Sequence, residues 1–414
     1  MEKLYEQKPD IKEFGGVVVT CQTVKNGLYY VTLDRTAFYP EGGGQPFDTG
    51  ILEEIGEREG TKESGTREPA AGEKTVSGKQ AAKVVEVHEK DGQILHYVDR
   101  KLSPGSRVRG VIDWERRQRH MRHHTGEHIF SGLVHSHYGY DNVGFHMGQD
   151  GVTIDFNGML TMDQVLELEK EANRLAWADL MVEAWYPSPE ELHSLDYRSK
   201  KEIQGPVRVV RIPGGDTCAC RGTHVSRTGE IGMIKVTGLK KYKSGVRLEM
   251  VCGFKALEDY EKKQEQVMGI SNLLSAKQGE VALAVEKLLE ESAARNRQIN
   301  QMYQRIFRMR CQQLPEGKAP LLIFEEDCPP AQLRLLVTQL CQEGKGEPVL
   351  ACSGHDGEYY YVLGSGEENA VRFAGKLNHC LGGKGSGRGL MAQGLFCAAK
   401  DEIQRVWDEG LWKE

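Results

Sequence analysis

Residues 113–128 read DWERRQRHMRHHTGEH, and the end of that stretch places His124 and His128 four positions apart. On a helix that spacing puts two side chains on one face, with Cβ atoms roughly 5–6 Å apart. Two imidazoles so placed can reach one ion. Further along, CRGTH (residues 220–224) repeats the spacing with Cys220 and His224. Either pair alone is commonly two ordinary helix residues. Together they form a nitrogen and sulfur donor set that suits Zn²⁺ better than the oxygen-preferring Mg²⁺ or Ca²⁺. Apolar runs follow both pairs, at 129–134 and 231–236, which sets each pair at the edge of a core. The first pair also fits H-x-x-E-H, a zinc-peptidase pattern with Glu127 as general base. Gly126 in a helix interior and the unassigned Cys220/His224 pair argue against that alternative.

Working towards the N-terminus, GVVVTCQTV and LYYVTLDRT are rich in β-branched and aromatic residues and read as strands. TAFYPEGGGQPFDTG (36–50) must be a loop, because Gly42, Gly43 and Gly44 cannot form an element interior. Residues 52–82 are polar and low in apolar content, and read as a mobile surface insertion. KVVEVHE, QILHYVD and SRVRGVID resume the strand pattern, and short strands separated by turns suggest a small β-barrel.

Towards the C-terminus, residues 115–135 read as the helix that carries the histidine pair. GVTIDFNG follows as a strand, and MDQVLELEKEANRLAWA as a helix with Val165, Leu168, Ala172 and Leu175 on one face. VRVVRI, EIGMIKVTG and VRLEMVCG return to strands, giving an α+β domain. Residues 256–312 read as helix in two pieces broken near Gly279. The second piece carries apolar residues at alternating steps of four and three, the heptad pattern of a coiled coil, interrupted at Ser292 and Arg295. Such a seam serves either a helical hairpin packed on itself or a homodimer contact. A final α/β domain contains LGGKGSGRGLMAQG, read as a flexible basic loop. Its glycines let backbone approach a phosphate, while Lys384 and Arg388 supply charge. The expected organisation is α+β and multidomain: a barrel domain over 1–104, a zinc-containing domain over 105–255, a helical segment over 256–314 and a C-terminal α/β domain over 315–414.

Composition narrows the function classes. No run of eighteen apolar residues exists, so no transmembrane helix is expected. The charged N-terminus lacks the apolar segment of a secretory signal, and ten scattered cysteines read as reduced thiols, so a cytoplasmic protein is expected. Cys218, two residues before Cys220, stands apart as a competing metal ligand. A net charge of −6 opposes general nucleic-acid stickiness, but two basic patches flank the donor pairs. One comprises Arg100, Lys101, Arg107, Arg109, Arg116, Arg117, Arg119 and Arg122; the other Lys235, Lys240, Lys241, Lys243 and Arg247. Their position beside the donors points to a polyanion held near the metal.

Three segments, TAFYPEGGGQPFDTG, DWERRQRHMRHHTGEH and CRGTHVSRTGEIG, together closely resemble the editing domain of alanyl-tRNA synthetase and its free-standing relatives, the AlaX editing proteins. The resemblance covers about residues 14–255. The remainder resembles the synthetase's C-terminal part, with a helical segment and a globular tail carrying the glycine-rich stretch and MAQG, as in the large form of AlaX. No room for an aminoacylation domain precedes the barrel, so no ATP-driven activation is expected. The resemblance implies a zinc-dependent hydrolase that cleaves the ester joining serine or glycine to tRNA(Ala). It implies His124, His128, Cys220 and His224 as metal ligands, and tRNA binding by the tail. Arg221 departs from the family's usual glycine, and Glu127 is also unusual for the family.

The chemistry expected of such a site follows. An activated ester needs placement of a water, support for the oxyanion and discrimination of the amino acid. Four protein ligands close a zinc site, so an open position is required for it to act on water or the substrate amine. Thr36 occupies the family's threonine position, from which its hydroxyl would bond that of serine. Gly42, Gly43 and Gly44 would admit the terminal adenosine. Gln45 and Asp48 either position water or ribose or cap the loop, and Asp113 and Arg116 either touch RNA or pair with each other. The rival to catalysis is a tRNA-binding protein with structural zinc.

Overall fold

The computed structural model describes residues 1–24, 27–55, 81–148, 150–199, 205–355, 357–366 and 369–413. Two compact units divide the chain, Met1–Gln266 and Val267–Glu414.

In the first unit six strands close into a barrel, in the order Glu13–Thr23, Tyr29–Leu33, Gln93–Val98, Ala82–Lys90, Gly50–Ile55 and Arg107–Ile112. Alternation along each strand turns Val18, Val31, Leu52, Val84, Ile94 and Val108 into a shared interior. Closure leaves the barrel without an edge strand. The expected insertion at 52–82 is shorter at both ends than its polarity suggested, because 52–55 and Ala82 belong to barrel strands. Residues 56–80 lie outside the described residues.

The histidine helix runs Trp114–Tyr138. Asp113 starts it by accepting the Arg116 backbone N–H at 3.2 Å, and Gly139, in the left-handed region at φ 67°, ends it. With helix Met162–Trp177 it packs on a four-stranded sheet ordered Ile234–Tyr242, Gly245–Cys252, Val152–Phe156, Asn142–Met147. Ile129, Phe130, Leu133, Val165, Leu168, Ile154, Leu248 and Met250 fill the space between them. Thr161 and Gln164 form a capping box at the start of the second helix. A three-stranded sheet, Glu183–Trp185, Val209–Ile212, Asp216–Ala219, brings Cys218 and Cys220 alongside the histidine helix. Strands 142–147, 183–185 and 216–219 carry too little alternation to be read from sequence.

Helix Phe254–Leu274 ends before a single 3₁₀ turn at Gln278–Glu280, and helix Val281–Gln313 follows, close to the expected break. On its heptad seam Leu288, Met302, Ile306 and Met309 are exposed, whereas Phe307 and Cys311 are buried against Leu333, Leu336 and Ile323. The second unit's sheet is ordered Leu321–Glu325, Val349–His355, Glu358–Gly364, Met391–Phe396, Lys384–Arg388. Helix Pro330–Gln342 packs with Val349, Ala351 and Val362, while Ala370–Cys380 and Lys400–Asp408 share a core with Leu350, Cys352, Tyr361 and Leu363. The supposed flexible basic loop is a strand pair instead: Lys384–Arg388 pairs antiparallel with Met391–Phe396. A cross-strand ladder supplies the backbone order that the run of glycines seemed to deny.

Candidate metal centre

Nitrogen and sulfur atoms of His124, His128, Cys220 and His224 all lie within 4.8 Å of one another. His124 and His128 come from one face of the helix, with ring centroids 5.0 Å apart, and His224 approaches them at 4.5 and 4.9 Å. The His124 and His128 side chains are buried, as is that of His224.

Hydrogen bonding settles which ring nitrogens face inwards. His124 Nδ1 donates to Gln45 Oε1 at 2.9 Å, an oxygen that also accepts the Thr223 N–H at 3.0 Å. His128 Nδ1 meets Asp216 Oδ2 at 3.0 Å. Both rings therefore turn Nε2 inwards, where on His128 a metal would take the place of a proton. His224 Nε2 is buried with no hydrogen-bond partner among the described residues, a costly arrangement unless something electrophilic occupies the space. Cys220 Sγ lies 3.4 Å from His124 Nε2. Burial would raise its thiol, but the neighbouring His124 outweighs burial and holds it well below the usual thiol range. Burial pushes His224 down to about 3, so its ring is neutral. Burial opposes charge on His128 too, yet Cys218 and Asp216 raise it well above the ordinary histidine value. These donors fit a metal ion. Three imidazole Nε2 atoms and one thiolate would hold it, and when bound it supplies a Lewis acid in a closed four-donor set.

Cys218 is not equivalent to Cys220. Its Sγ lies against His128 Nδ1 at 2.8 Å, on the side of the ring away from the inward Nε2. Burial pushes its thiol up to about 12, so it remains protonated. Asp216 is held by Arg198, whose Nε and Nη2 donate at 2.9 and 2.8 Å.

Residues 42–45 make a two-residue hairpin turn, with Gly42 and Gln45 exchanging backbone hydrogen bonds at 3.1 and 3.0 Å. Gly43 and Gly44 take φ of 60° and 85°, conformations that a side chain resists. The turn delivers Gln45 to His124, and Gln45 Nε2 also donates to Thr223 Oγ1 at 2.8 Å. Gly222 completes the approach: a Cβ there would stand 2.1 Å from His124 Cε1. Arg221, next to it, is exposed.

The other expected site residues also make contacts within the barrel and the histidine helix. Asp48 accepts Arg117 Nε at 3.1 and 3.0 Å and the Tyr39 N–H at 2.7 Å, which fixes the glycine loop to the histidine helix. Thr36 is fully buried in the barrel. His96 Nδ1 donates to the Val31 carbonyl at 3.0 Å, so its Nε2 accepts the Thr36 hydroxyl at 2.8 Å. Thr36 Oγ1 in turn accepts the Phe38 N–H at 3.1 Å. Asp113 meets Arg116 through the backbone cap rather than an ion pair, and Arg116 Nε donates to the Phe47 carbonyl at 3.0 Å.

Much of the basic approach is likewise spent internally. Arg109 pairs with Glu13 at 2.6 Å, Arg117 is buried with Asp48, and Arg122 Nε donates to the Glu230 carbonyl at 2.8 Å. Lys235, Lys240 and Arg247 each meet a carboxylate, of Glu169, Glu249 and Asp155, at 2.6 Å. The two patches are therefore weaker polyanion surfaces than their sequence density implied. In the second unit, Lys384 and Arg388 are exposed on the edge strand. Gly385 and Gly387 alternate with them and pack on the neighbouring strand.

Residues 207–249 match the family model described as the threonyl and alanyl tRNA synthetase second additional domain. An alanine–tRNA ligase from Methanoregula boonei is 32% identical over 95% of this chain, which covers 41% of that ligase. The alanyl-tRNA editing protein AlaX-L from Pyrococcus horikoshii is 27% identical over 99% of this chain and 98% of its own length. The chain is a homologue of AlaX-L. The C-Ala domain of Aquifex aeolicus alanyl-tRNA synthetase matches 24% of the chain at 24% identity, with a TM-score of 0.20. Of the residues in the AlaX-L homologue's donor set, Cys220 and His224 lie in the segment that the family model matches. Sequence spacing singled out all four side chains of this cluster. It offered no signal for Gln45 against His124, or for Arg198 and Asp216 behind His128, because these meet only after strands and helices pair. Among the described residues no helix is long and apolar enough to cross a membrane.

Proposed function

We propose that this AlaX-L homologue is a zinc-dependent aminoacyl-tRNA deacylase that hydrolyses the ester of tRNA(Ala) mischarged with serine or glycine. The observation that carries this reading is the convergence of His124, His128, Cys220 and His224 with Gln45 of the glycine loop in one buried cluster. The peptidase alternative needs a third ligand from a glutamate. Cys220 and His224 already fill that place.

In this reading the chain's own groups do the positioning. Gln45 and Asp216 fix the tautomers of His124 and His128, so the donor set is pre-formed and costs little reorganisation. The glycine turn shapes the wall where the terminal adenosine packs. The Thr36 hydroxyl donates a hydrogen bond to His96 and accepts one from the Phe38 amide, which leaves one lone pair to accept a serine hydroxyl. His124, His128, Cys220 and His224 would hold a Zn²⁺ ion, which would supply Lewis-acid chemistry when bound. Lys384 and Arg388 hold the RNA backbone, and the four-part division into barrel, zinc-containing domain, helical segment and tail gives each task its own region. The heptad seam, or the C-terminal domain, offers a surface for a homodimer.

One observation favours a second reading. Four protein donors make a closed site, which is the pattern of structural zinc. The test is to incubate the full chain with labelled seryl-, glycyl- and alanyl-tRNA(Ala), with and without a chelator. Chelator-sensitive loss of serine or glycine, with alanine spared, supports the deacylase. Tight tRNA binding without hydrolysis supports the binding protein.

A further inference from the structure

A row of flat side chains crosses the outside of the barrel, starting at the glycine loop. Arg116 holds its guanidinium over the Phe47 ring, 5.5 Å from the centroid, and its Nε is fixed by the Phe47 carbonyl at 3.0 Å. Phe47 meets the His88 ring edge to face at 5.7 Å, and His88 meets Tyr97 in the same way at 5.5 Å. Tyr30 stands opposite Tyr97 on the neighbouring strand. All of these side chains are half-buried. Val87 is buried in the barrel interior, so alternation turns His88 outwards. The loop that delivers Gln45 to His124 also supplies Phe47, and its Glu41 N–H donates to the Val87 carbonyl at 3.0 Å, which ties it to the strand carrying His88.

Cross-strand packing accounts for Tyr30 with Tyr97. It does not account for Phe47 and Arg116, which come from a loop and a helix outside the sheet. The polar groups beside the rings narrow the partner. Glu86 Oε2 lies 3.1 Å from His88 Nε2, and Glu41 Oε2 lies 3.8 Å from His88 Nδ1. Exposed carboxylates repel phosphates, so this surface does not suit an RNA backbone. They do accept from the exocyclic amino group of cytosine or adenine. Aromatic rings and a guanidinium plane offer faces on which unpaired bases stack. We propose that this row is a stacking platform for unpaired, amino-bearing bases of the RNA strand that leads to the terminal adenosine. The proposal rests on the tRNA reading given above and adds to it a surface outside the donor cluster.

The test compares binding of the full chain to a tRNA(Ala) transcript labelled at its 5′ end and to the same transcript without its unpaired 3′ nucleotides, by fluorescence anisotropy. Wild type should bind the intact transcript about tenfold more tightly than the trimmed one. His88→Ala and Tyr97→Leu should each lose most of that ratio, about fivefold or more, while binding the trimmed transcript as wild type does. A folding defect would weaken both RNAs together, and His88→Ala serves if the Tyr97 variant does not fold. Replacing the unpaired cytosines with uridine, which presents a carbonyl to the carboxylates, should weaken wild type about fivefold. Glu86→Gln, whose amide can face either base, should narrow that difference. Equal binding of the two transcripts by wild type, or an unchanged ratio in both ring variants, would overturn the proposal and leave the row as packing. Ester hydrolysis of the charged RNA reports on the deacylase reading separately. Strand-dependent binding without hydrolysis keeps the platform and loses the deacylase; hydrolysis with an unchanged ratio does the reverse.

Discussion

The two polar regions to which function is ascribed are built on opposite plans. In the first unit His124, His128, His224 and Gln45 are buried, and their hydrogen-bonding atoms are oriented by a further layer of groups. In the second, Lys384 and Arg388 stand exposed along an edge strand. Chemistry at an ester needs groups held within a fraction of an ångström, so every donor must be braced. Holding a nucleic-acid backbone needs only charge that can follow it, and bracing would add little. The contrast predicts that substitutions in the first unit act steeply and cooperatively, and those in the second gently and additively.

His128→Ala strikes the braced region hardest. It should abolish metal uptake, measured as zinc per chain after dialysis, and reduce deacylation to background. A metal-free variant with wild-type activity would break the comparison at its centre. Arg117→Met comes next. It leaves Asp48 buried without its partner and should cost about 3–5 kcal/mol, read from the denaturant midpoint. A cost below about 1 kcal/mol would mean that the pair does not hold the loop.

Acid should also act on the barrel. His96 is lowered by burial from 6.5 to about 4, so it stays neutral in the fold while the unfolded chain takes up a proton. Its contribution is complete above pH 6.5 and is lost as pH falls towards 4. The loss reaches about 3 kcal/mol. His120 and His123, lowered to about 3 and 4, add in the same direction. Unfolding midpoints measured across that window should fall, with a shallower slope in His96→Gln.

Thr36→Val tests selectivity within the braced region. The ratio of seryl- to alanyl-tRNA hydrolysis should drop by about 10²-fold, with zinc content retained. An unchanged ratio would remove Thr36 from recognition. The smallest effects belong to the second unit. Lys384→Ala and Arg388→Ala should each weaken tRNA binding by about 1 kcal/mol and reduce the salt dependence by roughly one released counterion. Their unfolding curves should match wild type. Strongly non-additive losses in the double variant would show that this surface, too, is braced.

What could be read from the chain follows the range of the forces involved. Helical spacing is local geometry, so His124 with His128, and the strand alternation that closes the barrel, were visible in order along the sequence. CRGTH announced two more donors because their spacing matched. Glycines misled where backbone pairing is long-range: the run 382–389 looked mobile, yet five of its residues join a ladder with 391–396. Charge misled for the same reason. Arg117 and Arg109 looked like an RNA-facing patch until the fold set Asp48, Glu13 and Glu53 beside them.

By itself the sequence determined the periodicities, the spacing within each of the two pairs and the presence of a tight glycine turn, since each depends on neighbours a few residues away. Only the tertiary structure decided that Gln45 orients His124 across 79 positions and that Cys218 faces His128 Nδ1 rather than Nε2. Those contacts depend on which strands pair and which helix face is buried, and a hydrogen bond exists only when both partners arrive.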